Sequence, residues 1–303
     1  MAGAAVAGWV RGRALLDRRI GPEAARELAA AASPADAVAA LAATPYGHDV
    51  RPGMDLPAAQ RAVRAALLWN LRVFAGWAPP GPSNQVRVLA GGFEIVNTVD
   101  RLVELAGGPP AHPFALGSLS TSWGAVSGAG TVAAVRAALG RSEWGDPGAD
   151  DPGAVLLALR LAWARRVFDD VAPAGGWARA AVGLMVGHIR AVGGEAVVTA
   201  AARRDLAHVL GRPLGQVPGR PSGGTQPPGA GPGGGWPDWW RRLEDDAAAM
   251  AAASRATPAA TVGVVGLLAA DAWRAGSALA LADGPPPTLT GEQERTGLLD
   301  ALV

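Results

Sequence analysis

The stretch Leu67-Leu-Trp-Asn-Leu-Arg-Val-Phe-Ala-Gly-Trp77 ends a helical run that begins near Asp55. Trp69, Val73 and Trp77 recur at i, i+4, i+8 and share one face, while Val63, Leu67, Leu71 and Phe74 fill the adjoining one. So wide an apolar arc predicts a mostly buried helix. Arg61, Arg64 and Arg72 occupy the remaining strip, broken only by Leu68, and Asn70 is an amide inside a hydrophobic run.

This stretch has an echo. Trp69-x-x-Arg72-Val73-Phe74 returns as Trp163-x-x-Arg166-Val167-Phe168, 94 positions later. Ahead of each copy, Ala40-Leu41-x-x-Thr44-x-Tyr46-Gly47 matches Ala138-Leu139-x-x-Ser142-x-Trp144-Gly145, 98 positions later. Two short matches in one order at nearly one offset point to a repeated helical unit of about a hundred residues. A fainter third copy runs through Leu210-Gly211-x-x-x-Gly215 and Trp239-x-x-Arg242-Leu243.

The 303 residues can bury a sizeable core, half of them are hydrophobic, and Ala and Leu dominate. Both are strong helix formers, and long β-branched alternations are missing, so the class is all-α. A net charge of +1 gives no global field for nucleic acid or acidic lipid. Every basic residue is Arg, and there is no Cys, which excludes disulfides, thiolate catalysis and Cys-based zinc sites. Met1 to Val10 is small and apolar and the Arg residues come after it, the reverse of a secretory signal. Ala259 to Ala282 is long enough for a membrane span, but Asp271 and Arg274 sit in its middle at i, i+3. Each costs about 2.5–3.5 kcal/mol at a bilayer centre, so a buried core helix is expected.

Pro and capping residues mark the helix starts at Gly21-Pro22-Glu23, Ser33-Pro34, Asp151-Pro152 and Thr257-Pro258. They predict helices at 7–20, 22–32, 34–43, 55–77, 84–107, 114–126, 131–140, 152–171, 176–192, 195–210, 237–255 and 258–283. Gly211 to Gly235 is too rich in Gly and Pro to hold a helix and reads as a loop or linker.

Catalytic signatures are weak. His48, His112, His188 and His208 show no helical ligand spacing, so no metal site is expected. Gly128-Ala-Gly130-Thr-Val-Ala133 fits a loose dinucleotide fingerprint, yet no strand precedes it, and a turn with Thr131 capping the next helix is the plainer reading. Asp169-Asp170 lacks a third carboxylate for magnesium. Two polar sets stand out. Arg11, Arg13, Arg18 and Arg19 form either a solvated basic face or a docking strip for an acidic partner. Glu94, Asn97 and Arg101, at i, i+3, i+7, form either an internal hydrogen-bonded network or the lining of a polar cavity.

Four segments resemble the V-type ATPase subunit d family, the adaptors between rotor ring and central stalk. They are Trp9-Val-Arg11-Gly-Arg13-Ala14, the turn Leu41 to Gly47, Asn70-Leu-Arg72-Val-Phe74, and Phe93-Glu94-Ile-Val-Asn97. The likeness covers roughly residues 9–170. It implies an all-α funnel of three similar helical lobes, placed here at 1–107, 108–210 and, shortened, 236–303 with its tail, the last set off by the loop 211–235. It also implies a non-catalytic cytoplasmic subunit without cofactor, peripheral to the membrane. Its partners would be the central-stalk subunits and the membrane rotor ring, not nucleic acid, and it would have no span of its own. Arg11, Arg13, Arg18 and Arg19 would contact stalk or ring loops, and Asn70, Arg72, Glu94 and Asn97 would face the stalk. Two other readings stay open: a stand-alone helical interaction module descended from that family, and an all-α magnesium-dependent isoprenoid enzyme.

Overall fold

Side-chain caps open the helices. Ser33 accepts from the Asp36 N–H at 3.2 Å, Asp55 from Ala58 at 2.8 Å, Thr131 from Ala134 at 3.1 Å, Asp151 from Ala154 at 2.9 Å and Thr257 from Ala260 at 3.1 Å. Each satisfies an N–H that a helix start would leave unpaired. The structure, a computed structural model, describes residues 2–217, 235–252 and 257–284, with side chains from Val6 onward. Most of the expected loop (residues 218–234) and the tail from residue 285 lie outside the described residues.

The protein is all-α, and no strand occurs among the described residues. The helices are α1 (Ala2–Leu16), α2 (Gly21–Ala29), α3 (Pro34–Ala42), α4 (Leu56–Trp77), α5 (Pro80–Leu89), α6 (Gly91–Leu105), α7 (Trp123–Ser127), α8 (Val132–Gly140), α9 (Pro152–Asp170), α10 (Gly175–Ala191), α11 (Ala200–Leu210), α12 (Trp236–Ala251) and α13 (Pro258–Ala282). They form two compact units, residues 1–86 with 243–303, and residues 87–242. The lobes laid out from sequence divide the chain at 107 and 210, whereas the compact units divide it at 86 and 242. The last helix, α13, thus belongs with the first four.

In the first unit α13 packs against α1, α2, α3 and α4. It is long and apolar enough to cross a membrane by length and composition. Here it is the core helix of its unit, with Val262, Val264, Leu268, Ala275 and Leu279 buried. Its approach to α12 depends on Gly263, where a Cβ would lie 2.6 Å from both the Ala247 carbonyl oxygen and the Ala251 nitrogen. In the second unit α9 is central and packs against α6, α10 and α11. Leu159 and Leu161 are fully buried there.

Three expectations are corrected. The helix expected at 84–107 breaks at Ala90 into α5 and α6. Gly91 and Gly92 follow, weak helix formers whose lack of a Cβ lets the Trp163 ring lie against the backbone, 2.9 Å from where a Gly91 Cβ would stand. The helix expected at 114–126 is only a 3₁₀ turn, Gly117–Leu119, and the short α7, because Thr121 and Ser122 give their N–H groups to a side chain. And α4 is less buried than its pattern predicts: Trp69 and Trp77 are 36 % and 55 % exposed. The helix buries Val63, Leu67, Leu71 and Phe74, along with Ala59, Ala62, Ala66, Leu68 and Ala75, and turns its tryptophan edge outward.

Gly263→Ala is expected to lower stability by about 1–3 kcal/mol in urea unfolding, because the two closest obstructing atoms are backbone and the third is the Met250 Cβ, none of which can swing aside. Gly76→Ala, in α4 with nothing within 4 Å of its added Cβ, should instead be neutral or stabilising by roughly 0.5–1 kcal/mol. A Gly263→Ala midpoint equal to wild type would mean that α12 does not sit on α13.

Candidate functional site

Each unit is built around one buried carboxylate. In the first unit it is Asp271, 1 % exposed, in the middle of α13. It accepts the Gly21 N–H at 2.9 Å, the Ile20 N–H at 3.2 Å and the Tyr46 hydroxyl at 3.0 Å. The Arg274 guanidinium, itself bound to Glu244, lies 3.7 Å away. In the second unit it is Glu94, 2 % exposed, on α6. It accepts the Thr121 and Ser122 N–H groups at 2.6 Å each, the Ser122 hydroxyl at 2.7 Å and the Trp144 indole N–H at 3.0 Å. A carboxylate removed from water is tolerated only when several donors replace its hydration, and both sites meet that demand.

The two aromatic donors come from matched sequence. Thr44 donates to the Leu41 carbonyl at 2.7 Å and accepts the Tyr46 N–H at 3.2 Å. Ser142 donates to the Leu139 carbonyl at 2.8 Å and accepts the Trp144 N–H at 3.2 Å. The same turn therefore presents Tyr46 to Asp271 and Trp144 to Glu94. The other sequence match is not structural. Trp69 lies fourteen residues past its cap Asp55, whereas Trp163 lies twelve past its cap Asp151. In unbroken helices that difference rotates the side chain by about 200°. Trp163 accordingly packs inward and donates to the Val88 carbonyl at 2.6 Å, while Trp69 faces outward and stacks on His48 with ring centres 5.5 Å apart.

The outward Trp69 borders a cleft of about 50 Å³ in the first unit, lined also by Arg18, Arg19, His48, Asn70 and, at its floor, Tyr46 and Asp271. Of the residues named from sequence, Arg18, Arg19 and Asn70 therefore converge on one place. Arg11 and Arg72 are exposed on the same unit. Arg13 donates to the Ala251 carbonyl at 3.3 Å and lies over the Trp9 ring, so it also has a packing role. Glu94 and Asn97 are corrected as partner contacts. Asn97 is fully buried, donates to the Phe114 carbonyl at 2.9 Å and accepts the Phe114 N–H at 2.7 Å. Of the two readings left open for that helix face, the internal network is the one observed. Arg101, on the same helix, is engaged separately, donating to the Ala129 carbonyl at 2.8 Å and pairing with Glu104.

Sequence reasoning saw Asp271 only as a partner for Arg274, and missed Tyr46, Ser122, Trp144 and His48. One signal was available: an acid inside a long apolar helix must find donors elsewhere in the chain. Among the described residues no three His, Asp or Glu side chains gather as a metal site would require. Gly128 to Gly130 forms no phosphate cradle but a turn before α8, which Thr131 caps.

Burial, then the Asp271 charge and its hydrogen bond, push the Tyr46 phenol well above its ordinary value, while Arg274 and Arg19 pull weakly the other way. The native fold therefore holds this proton at a pH where the unfolded chain, with a phenol near 10, releases it. The resulting stability is complete below about pH 10 and falls as pH rises toward the folded-state value. Tyr46 is the sole tyrosine, and the chain has no Lys or Cys, so nothing else except arginine titrates in that range. Tyrosinate absorbance of the native protein should stay absent through about pH 10 and emerge with alkaline unfolding. Tyr46→Phe should lose about 1–2 kcal/mol at neutral pH and flatten the alkaline slope. Glu94→Gln and Asp271→Asn should each cost about 2–5 kcal/mol, because the new amide places N–H donors against donors. A native tyrosine titrating near its ordinary value would show that Asp271 does not hold it.

No protein-family model matches the chain, and no match is found among curated proteins.

Proposed function

We propose that the protein is a non-catalytic structural subunit of the kind that seats the central stalk of a V-type rotary ATPase on its membrane rotor ring. The observation that carries this reading is the duplicated carboxylate clamp. Two of the four segments on which the resemblance rests take part in it, the turn Leu41 to Gly47 through Tyr46 and the helix with Phe93-Glu94 through its acid. A part that transmits torque must be stiff, and a buried carboxylate with three or four donors fixes the angle between a turn, a helix start and a core helix. The three-lobed funnel and the closure of its third lobe belong to this proposal. So do a cytoplasmic location at the membrane and partner contacts through Arg11, Arg13, Arg18, Arg19, Asn70 and Arg72.

The test is affinity purification of the tagged full chain from its own cells, with membranes gently solubilised and partners identified by mass spectrometry. Recovery of stalk and ring subunits of a rotary ATPase is expected. Arg11→Glu with Arg72→Glu, both exposed and away from the clamps, should weaken that recovery roughly tenfold without changing Tm. Unrelated soluble partners would overturn the adaptor and leave a stand-alone helical interaction module.

A further inference from the structure

The cleft beside Trp69 has no task in the fold. Its volume of about 50 Å³ is far below the roughly 300–1,000 Å³ of cofactor and substrate pockets, so only the end of a side chain can enter it. The cleft is lined by two aspartates, Asp49 and Asp271, and two arginines, Arg18 and Arg19; the aspartates are engaged within the fold, and the arginines hold no carboxylate among the described residues. The Asp271 oxygens at the floor are taken up by two backbone N–H groups, the Tyr46 hydroxyl and the Arg274 guanidinium. Asp49, on the wall, is held by His48 Nδ1 at 3.0 Å. Arg18 is exposed and has no carboxylate partner among the described residues. Arg19 donates through Nε to the Leu16 carbonyl at 3.2 Å, and its two terminal nitrogens have no partner among the described residues. The half-buried Asn70 amide, which lines the same cleft, has no hydrogen-bond partner among the described residues either. Uncommitted donors thus surround a small space whose rim is a 36 % exposed indole.

We infer that this cleft receives a carboxylate side chain, Asp or Glu, from an acidic segment of a protein partner, with an apolar neighbour of that carboxylate resting on Trp69. Guanidinium groups bind a carboxylate through paired N–H···O contacts, and the amide of Asn70 supplies a third donor. The exposed ring adds apolar contact at the mouth, where a partly wet aromatic serves an interface best. A nucleic-acid partner is disfavoured because the chain carries a net charge of only +1. The inference rests on the partner-docking half of the proposed function and not on the identity of the rotary complex.

The experiment uses the full chain labelled with 5-fluorotryptophan, the Trp69 fluorine resonance being assigned through Trp69→Phe. It is titrated with acetyl-Leu-Glu-Glu-Leu-Glu-amide and with the peptide carrying Gln in place of every Glu. The Glu peptide should shift the Trp69 resonance saturably in the millimolar range, and the Gln peptide should bind at least about fivefold more weakly, as expected for charge pairs near a surface. Arg18→Glu alone should weaken the Glu peptide severalfold, and Arg18→Glu with Arg19→Glu should abolish its effect, with thermal unfolding run on both variants. Because Arg18 is exposed and engages no carboxylate, the single variant keeps the test alive should the double variant not fold. Arg141→Glu, on the second unit, should change nothing. Equal binding of the two peptides, binding that survives Arg18→Glu, equal weakening by Arg141→Glu, or displacement of the Glu peptide by an equal concentration of inorganic phosphate would each overturn the assignment. Peptide binding without rotary partners in the purification would leave the cleft standing and the adaptor reading overturned; rotary partners without peptide binding would do the reverse.

Discussion

A carboxylate taken out of water must be met by several donors at once, and the fold is arranged to supply them twice. Asp271 and Glu94 each draw two successive backbone N–H groups and one aromatic donor to a single point on a core helix. That geometry fixes more than the side chain. It stops the chain before α2 and before α7, where the N–H groups of residues 20–21 and 121–122 turn toward the acid. It also sets the Tyr46 and Trp144 turns each against the helix that carries its acid. Removing one donor would leave a buried charge undercompensated, so each clamp holds its parts together as one unit.

The clamp also explains how much of the fold was legible. Helix starts were readable because capping is local: Ser33, Asp55, Thr131, Asp151 and Thr257 act within three residues of themselves. The end of α5 was not. It depends on Trp163, seventy-odd positions away, closing on Gly91 and Gly92. The failed helix at 114–126 has the same kind of cause, since its N–H groups are claimed by Glu94 on another helix. Periodicity identified α4 but could not orient it, because both of its candidate faces are apolar and burial chose the one carrying Leu67, Leu71 and Phe74.

The two sequence matches fared differently for a physical reason. A turn whose side chain bonds its own backbone carries its geometry with it, so Thr44-x-Tyr46 and Ser142-x-Trp144 fold alike wherever they occur. A motif inside a helix has no such anchor. Its direction depends on its distance from the helix start, and two residues of difference send Trp69 and Trp163 to different faces. The tryptophan thus released from packing in the first unit borders the cleft with Arg18, Arg19 and Asn70.

Of the candidate site, then, the sequence could give the membership and not the roles. Eight polar residues were singled out because polarity within apolar helices has to be explained, and that criterion does not distinguish a group satisfied inside the protein from one waiting for a partner. Glu94 and Asn97 belong to the first class because each finds backbone donors or acceptors on a segment many residues away. Arg18, Arg19 and Asn70 belong to the second because the carboxylates beside them, Asp49 and Asp271, are already engaged by His48 and by the Ile20, Gly21 and Tyr46 donors. Only the tertiary fold separates the two, since the deciding partners of Glu94 and Asn97 lie seventeen to fifty positions off along the chain. The buried pair ties segments of the second unit together, and in the first unit the trio leaves a place where an acid from outside can do what Asp271 does within.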